Sequence, residues 1–231
     1  MIENYVEDYS NIVFMLAEEL LEDGRITLKP LGTAFLCHKD GLFLTCGHIL
    51  DLTKKYHLVL PNNINEFNYI TSKHAIPSIE VIIKQYDSLN DVALLEVKNN
   101  NDLKSNFQMR VREEPILVGE SIYYLGYPFL NLDLHNLTAS KSIISSKVKF
   151  DNETNQYQID SIVHEGNSGG PLIDLKTNSI IGIISGTFDP QERTGGIRII
   201  SNGRTHKEVT SISYATPIEY GIELLKNEGK I

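Results

Sequence analysis

The sequence predicts an all-β fold, a barrel or a sandwich, on three observations. Its apolar residues come in short runs of strand length, not in long helical stripes. Those runs are rich in Ile, Val, Phe, Tyr and Thr, which suit a pleated, half-buried surface. Gly, Asn, Asp and Pro break them throughout.

The runs are Gly32–Cys37, Leu42–Cys46, His57–Leu60, Ile79–Ile83, Val92–Val97, Ser121–Leu125, Ser142–Val148, Gln156–Val163, Pro171–Ile173 and Ile180–Ser185. Between the first two, Lys39-Asp40-Gly41 reads as a hairpin turn, with Gly41 supplying a positive φ. Upstream, Val13–Leu21 is compatible with a helix or with an N-terminal strand followed by a polar loop. Polar Lys98–Asn106 reads as a linker between two halves, and Asp189–Arg204 as a long surface loop or hairpin. Near the end, Thr216 reads as a helix N-cap, Pro217 as the first helical residue, and Glu219 falls three after the cap. Gly229 marks the stop.

Composition narrows the class of function. The chain has 231 residues, 41% of them hydrophobic and 22% charged, which is enough apolar material for a sizeable core. A net charge of −9 argues against a phosphate-backbone or anionic-membrane binder, so no nucleic acid and no membrane partner is expected. No run approaches the roughly 18 apolar residues of a spanning helix. Glu3, Glu7 and Asp8 stand where a secretory leader carries basic residues. Cys37 and Cys46 lack metal-ligand spacing, and two thiols in a chain this long fit a reducing compartment. A cytoplasmic setting is the resulting expectation. His38, His57, His74, His135 and His206 show no metal-like spacing, and neither metal nor cofactor is expected.

Three segments carry chemistry. Leu44-Thr45-Cys46-Gly47-His48 ends an apolar strand, Asn90-Asp91 begins one, and Gly166-Asn167-Ser168-Gly169-Gly170-Pro171-Leu172 lies between two. A serine among glycines can sit on a tight turn that exposes its hydroxyl and aims backbone N–H groups at one point. A lone His at a strand end, or a lone Asp before one, is usually structural. Their joint occurrence in the order His, Asp, Ser changes the reading. The spacing allows His and Asp on one barrel and Ser on another, meeting at a cleft.

These segments resemble the chymotrypsin-fold (trypsin-like) serine proteases, and among them the bacterial Deg/high-temperature-requirement branch. GTAF at Gly32–Phe35, TCGHIL, NDVALLEV, VGESIYYLGYPF at Val118–Phe129, LTASKSIIS at Leu137–Ser145, IDSIVHEGNSGGPL at Ile159–Leu172, IIGIISG at Ile180–Gly186 and YATPI at Tyr214–Ile218 match in register, covering most of the chain. The resemblance implies two six-stranded antiparallel β-barrels with the active site in the cleft between them, plus a C-terminal helix. It places an N-terminal extension at 1–30, a first barrel at 31–105, a second at 106–215 and the helix at 216–231. It implies a serine endopeptidase with Ser168 as nucleophile, His48 as base then acid, and Asp91 as the partner of His48. The N–H groups of Gly166 and Ser168 would form the oxyanion hole. Ser185 would support Asp91, and Ser185-Gly186-Thr187 would pair with a protein or peptide substrate as an added strand.

Departures from the family pattern shape further expectations. Asn167 replaces the Asp that pairs with a freshly cut amino terminus in digestive relatives, so activation by propeptide cleavage is not expected. Cys37 and Cys46 do not match the family's disulfide and are expected as free, buried thiols. Ile162 and Val163 fall at the specificity pocket, with Ile212 on the neighbouring strand and His164 and Glu165 in the same loop. With no acid at the floor and no His at Ile184, small or medium aliphatic side chains are expected before the cut. Relatives of this branch usually continue into a peptide-binding (PDZ) domain, for which the sequence after the helix leaves no room. Targeting is then expected from the barrels, loop 189–204, the first 30 residues or an activating or targeting partner protein. The alternative is a latent or inactive protease-like regulatory or binding module. An α/β-hydrolase esterase is disfavoured, because its serine sits on a strand-to-helix turn and its triad runs in another order.

Overall fold

The computed structural model describes the chain apart from residues 1, 23, 69–76, 100–102, 104, 131–134, 151–152, 188–199, 202–203 and 206–211. A short helix, α1 (Ile2–Ser10), leads into six strands: β1 (Val13–Glu22), β2 (Arg25–His38), β3 (Leu42–Cys46), β4 (Tyr56–Val59), β5 (Ser78–Asp87) and β6 (Val92–Val97). They close a barrel in the order β1-β2-β3-β6-β5-β4, every pairing antiparallel. A second barrel contains β7 (Ser121–Gly126), β8 (Thr138–Lys149), β9 (Asn155–Asp160), β10 (Pro171–Asp174), β11 (Ser179–Thr187) and β14 (Ile212–Pro217). Its order is β10-β11-β14-β9-β8-β7. Helix α2 (Ile218–Asn227) follows directly. The all-β expectation and the two six-stranded barrels are both observed. Among the described residues no helix is long and apolar enough to cross a membrane.

The segment left open between helix and strand is a strand. Val13 through Glu22 pair with Phe35 through Arg25, so the first barrel takes in residues that the sequence had set aside as an N-terminal extension. Val13–Ala17 are all buried, the signature of a strand covered on both faces, which the helical spacing of the same residues obscured. The turn at Lys39-Asp40-Gly41 forms as expected, with Gly41 at φ 75°. Of the stretch 189–204 little lies within the described residues; β12 (Ile200–Ser201) and β13 (Arg204–Thr205) form a two-stranded ladder there.

Each barrel fills its interior with alternate strand residues. Phe14, Leu36, Phe43, Leu58 and Leu95 are fully enclosed or nearly so in the first, where Phe14 and Phe43 meet edge to face at 5.1 Å. Ile122, Ile144, Ile159, Leu172, Ile184 and Ala215 do the same in the second. The two ends of the chain then cross over. Helix α1 precedes the first barrel but binds the second: Tyr9 donates to the Asn178 carbonyl at 2.6 Å, and Asn178 Nδ2 donates to Asp8 at 2.7 Å. Helix α2 follows the second barrel but lies on the first, where Gln85 Nε2 donates to the Leu224 carbonyl at 3.0 Å.

One detail of α2 differs from expectation. Thr216 does not cap the helix; it is buried in β14, where Gln156 Nε2 donates to its hydroxyl at 3.1 Å. Pro217 occupies the cap position with no side-chain bond. The end matches expectation: Gly229 takes φ 66°, and the N–H groups of Gly229 and Lys230 donate to Lys226 and Leu225, which closes the last orphan carbonyls.

Asn178 ties α1 to the second barrel at φ 53°, and its Oδ1 also accepts the Tyr123 hydroxyl at 2.8 Å. Asn178→Ala removes the acceptor of the buried Tyr123 hydroxyl and the donor to Asp8, and should lower the free energy of unfolding by about 1–3 kcal/mol. Denaturant titration of variant and parent reads this directly.

Candidate active site

Strand register brings His48 and Asp91 together. Cys46, the last residue of β3, faces Val92, the first of β6. The chain therefore leaves one strand beside the point where it enters the other. The Gly47 N–H donates to the Asp91 carbonyl across this gap at 3.2 Å. Asp91 takes φ 57°, in the left-handed region that Asp tolerates better than bulkier residues because its short side chain bonds locally. Its Oδ1 accepts the His48 backbone N–H at 2.7 Å, and its Oδ2 lies 2.8 Å from His48 Nδ1. The carboxylate can only accept, so in the neutral ring the proton sits on Nδ1 and Nε2 is left as a base. The Ser185 hydroxyl donates to the same Oδ2 at 2.9 Å.

Ser168 stands on the turn before β10. Gly166 and Gly169 have φ of 98° and 90°. A Cβ on Gly166 would overlap the Tyr127 carbonyl oxygen, and one on Gly169 the Thr33 carbonyl oxygen and the Thr45 hydroxyl. Backbone geometry and packing thus both demand glycine there. The Glu165 carbonyl accepts the Phe129 N–H at 2.8 Å. In a trans peptide the N–H points opposite to the C=O, so the Gly166 N–H is turned away from Phe129. Among the described residues neither it nor the Ser168 N–H has a protein acceptor. The His164 and Phe129 rings lie on each other at 4.2 Å, and Phe129 itself takes φ 60°.

Thr33, fully buried in β2, holds this turn from the opposite barrel. Its N–H donates to the Ser168 carbonyl at 2.8 Å, and its hydroxyl donates to the Gly166 carbonyl at 2.6 Å. The same hydroxyl accepts the Tyr127 N–H at 3.1 Å, and the Thr33 carbonyl accepts the Thr45 hydroxyl at 2.7 Å. Sequence reading placed Thr33 in a matching segment but gave it no role. Nothing local marks it, because every partner except Thr45 comes from the other half of the chain. Phe129 was missed because its partners, Glu165 and His164, lie in the same barrel but far along the chain.

The Ser168 hydroxyl donates to the Ser185 carbonyl at 3.0 Å. His48 Nε2 has no protein partner among the described residues, and the His48 side chain is 48% exposed to the cleft. Ser185 is thus bonded to both Asp91 and Ser168. The pairing of β11 with β14 slips between Ile184 and Gly186, so Ser185 is an extra, bulged residue, and Gly186 and Thr187 resume the ladder opposite Tyr214 and Ser213. The last rung with β10 is Pro171–Ile183, and among the described residues no strand pairs with that edge of 185–187.

The remaining expected residues are dispersed. Val163 is buried in the core of the second barrel, and its N–H donates to the Ser213 hydroxyl at 3.0 Å. Ile162 is 42% exposed, Ile212 is half-buried at the start of β14, and Glu165 is exposed. Cys46, His48 and Asp91 each offer one ligand atom within 4.8 Å of the others. The Cys46 thiol, however, donates to the Ile184 carbonyl at 3.0 Å, and burial, reinforced by the Asp91 charge, pushes its pKa well up. A protonated thiol and a carboxylate already engaged by three donors make a poor ligand set. Cys37 is likewise a free, buried thiol whose pKa burial raises.

The trypsin-like peptidase domain model matches residues 32–183. The chain belongs to that family. Human serine protease HTRA4 is 29% identical over 173 residues, which cover 72% of this chain and 32% of that protein. The probable periplasmic serine endoprotease DegP-like of Rickettsia prowazekii is 26% identical over 208 residues, 87% of this chain and 34% of that protein. The magnetosome formation protease MamE of Paramagnetospirillum magneticum is 25% identical over 176 residues, 74% and 22% respectively. The chain spans about a third or less of the length of these curated relatives. They support the trypsin-like assignment and its Deg/high-temperature-requirement branch. The cytoplasmic expectation finds no support among them, since the Rickettsia relative is named as periplasmic.

Two outcomes test this geometry. Thr33→Val keeps the shape but leaves the Gly166 carbonyl and the Tyr127 N–H without their partner, and should cost about 1–3 kcal/mol of stability. Thr138→Val, which removes a partly exposed bond to the Gly126 carbonyl, is the milder control in the same denaturant titration. Both thiols should resist a chromogenic disulfide reagent at mildly alkaline pH while the protein is folded. They should react together on unfolding, because burial suppresses the reactive thiolate.

Proposed function

We propose that this chain is a serine endopeptidase in which Ser168 attacks the peptide carbonyl and His48 Nε2 takes its proton. The observation that carries the reading is the short His48–Asp91 bond at 2.8 Å, with Ser185 joining that carboxylate to the turn that holds Ser168. Asp91 keeps the His48 proton on Nδ1 and stabilises the imidazolium formed during attack. The unpaired N–H groups of Gly166 and Ser168 would receive the oxyanion, and one such donor is worth about 3–4 kcal/mol of barrier. His48 would return the proton to the leaving amine, and water would then release the acyl group by the reverse path.

An extended peptide would add to the open edge at residues 185–187. Ile162, Val163 and Ile212 would face the side chain before the cut, with His164 and Glu165 at the rim. Aliphatic walls without an acid favour small or medium apolar residues over Lys or Arg.

A second reading, a latent protease that needs a partner, is favoured by one observation. The Ser168 hydroxyl donates to the Ser185 carbonyl, so it is not aimed at His48. Partner binding would have to turn it.

A fluorophosphonate probe separates the readings. Labelling that is lost in Ser168→Ala supports the active enzyme, whereas a folded protein that labels only after a cell lysate is added supports the latent form. Against peptide libraries Ser168→Ala should lose roughly 10⁴- to 10⁶-fold in turnover without loss of stability. Cleavage after Lys or Arg would overturn the aliphatic pocket.

A further inference from the structure

The bulge at Ser185 carries more than support for Asp91. A bulged residue has its backbone out of register with the neighbouring strand, and the pairing with β10 has already ended at Ile183. The Ser185 carbonyl is therefore spare, and the proton it accepts is that of the Ser168 hydroxyl, at 3.0 Å. A hydroxyl has a single proton. While it lies on Ser185 it cannot lie on His48 Nε2, and Nε2 has no other protein partner among the described residues.

The same carbonyl begins the open strand edge. An extended chain laid along residues 185–187 offers its own N–H groups to that edge, as any added strand does. With the β10 pairing ended at Ile183, the Ser185 carbonyl is met by the Ser168 hydroxyl from the side on which an added strand would lie, so the peptide N–H and the hydroxyl compete for it. We propose that the Ser185 carbonyl parks the Ser168 hydroxyl in the free protein, and that a backbone N–H of an extended peptide displaces it onto His48 Nε2. This rests on the reading of Ser168 as nucleophile. The exchange trades one neutral hydrogen bond for another of similar strength, so the hydroxyl moves at little cost once the peptide has taken its acceptor. The effector is the substrate backbone itself, which makes the site selective for extended peptides over small acyl compounds that lack an N–H beside the reacting carbonyl.

The test reads His48 directly, by nitrogen NMR of isotope-labelled histidine. Free parent protein and Ser168→Ala should give the same Nε2 shift, because the hydroxyl is elsewhere. An aliphatic peptide made uncleavable by a reduced bond should, at saturation, move Nε2 toward the hydrogen-bonded position in the parent and leave Ser168→Ala unmoved. Its twin, N-methylated at the amide preceding the reduced bond, should bind about tenfold more weakly, the loss of one hydrogen bond. At saturation the twin should leave Nε2 where it was. A free protein whose Nε2 already differs from that of Ser168→Ala overturns the proposal. So does an equal shift with both peptides, or the absence of saturable peptide binding. Turnover of the same peptide with an ordinary scissile bond judges the nucleophile separately: if the parent never cleaves it while the NMR arms behave as described, the enzyme reading fails and the parked hydroxyl stands.

Discussion

Thr33 is the contact on which the site depends. It lies in β2 of the first barrel, yet three of its four polar contacts reach the second. Its N–H and hydroxyl take the carbonyls of Ser168 and Gly166, and so hold the peptide planes that run on to Gly169 and Asn167, on either side of the serine. Fixing those carbonyls fixes the direction of the N–H groups that follow them in the turn. The bonds are buried, so water cannot replace them, and leaving any one unmade would cost more than making it gains. A threonine suits the position because its methyl fills apolar space while its hydroxyl both donates and accepts.

Ser185 answers Thr33 from the second barrel. One residue reaches Asp91 through its side chain and Ser168 through its carbonyl. It can do both only because the ladder slips at that residue and frees its backbone. Together the two residues brace the cleft in opposite directions, first barrel to the Ser168 turn and second barrel to Asp91. None of these braces is an ion pair. The Asp91 carboxylate is met by the His48 N–H, the His48 ring and the Ser185 hydroxyl, which is what a carboxylate taken partly out of water requires.

The crossed termini serve the same end on a larger scale. Helix α1 binds the barrel it does not belong to by sequence, and so does α2. Gly221 of α2 lies so close to Leu44 that a Cβ there would come within 2.7 Å of it. Leu44 is in β3, two residues before the Cys46 rung that sets His48 beside Asp91. Packing of the C-terminal helix is thus connected, through one strand, to the end of the first barrel that carries His48 and Asp91.

Much was legible in the residues alone. Strand class, the turn at Gly41, the stop at Gly229, the free cysteines and the candidacy of His48, Asp91 and Ser168 all rest on local chemistry: φ preferences, β-branched runs, and glycines flanking a serine. The branch resemblance supplied the barrel count. What local chemistry could not decide was anything settled by a partner distant in the chain. Val13–Ala17 are apolar at a spacing that fits helix or strand, and only pairing with Phe35 and its neighbours made them a strand. Thr216 looked like a cap, but Gln156 drew it into the second barrel. The roles of Thr33 and Phe129, and the aim of the Ser168 hydroxyl at Ser185, follow from hydrogen bonds between residues distant in the chain. A residue's own neighbours set what it can do; which of its possible bonds is made depends on what the fold brings opposite.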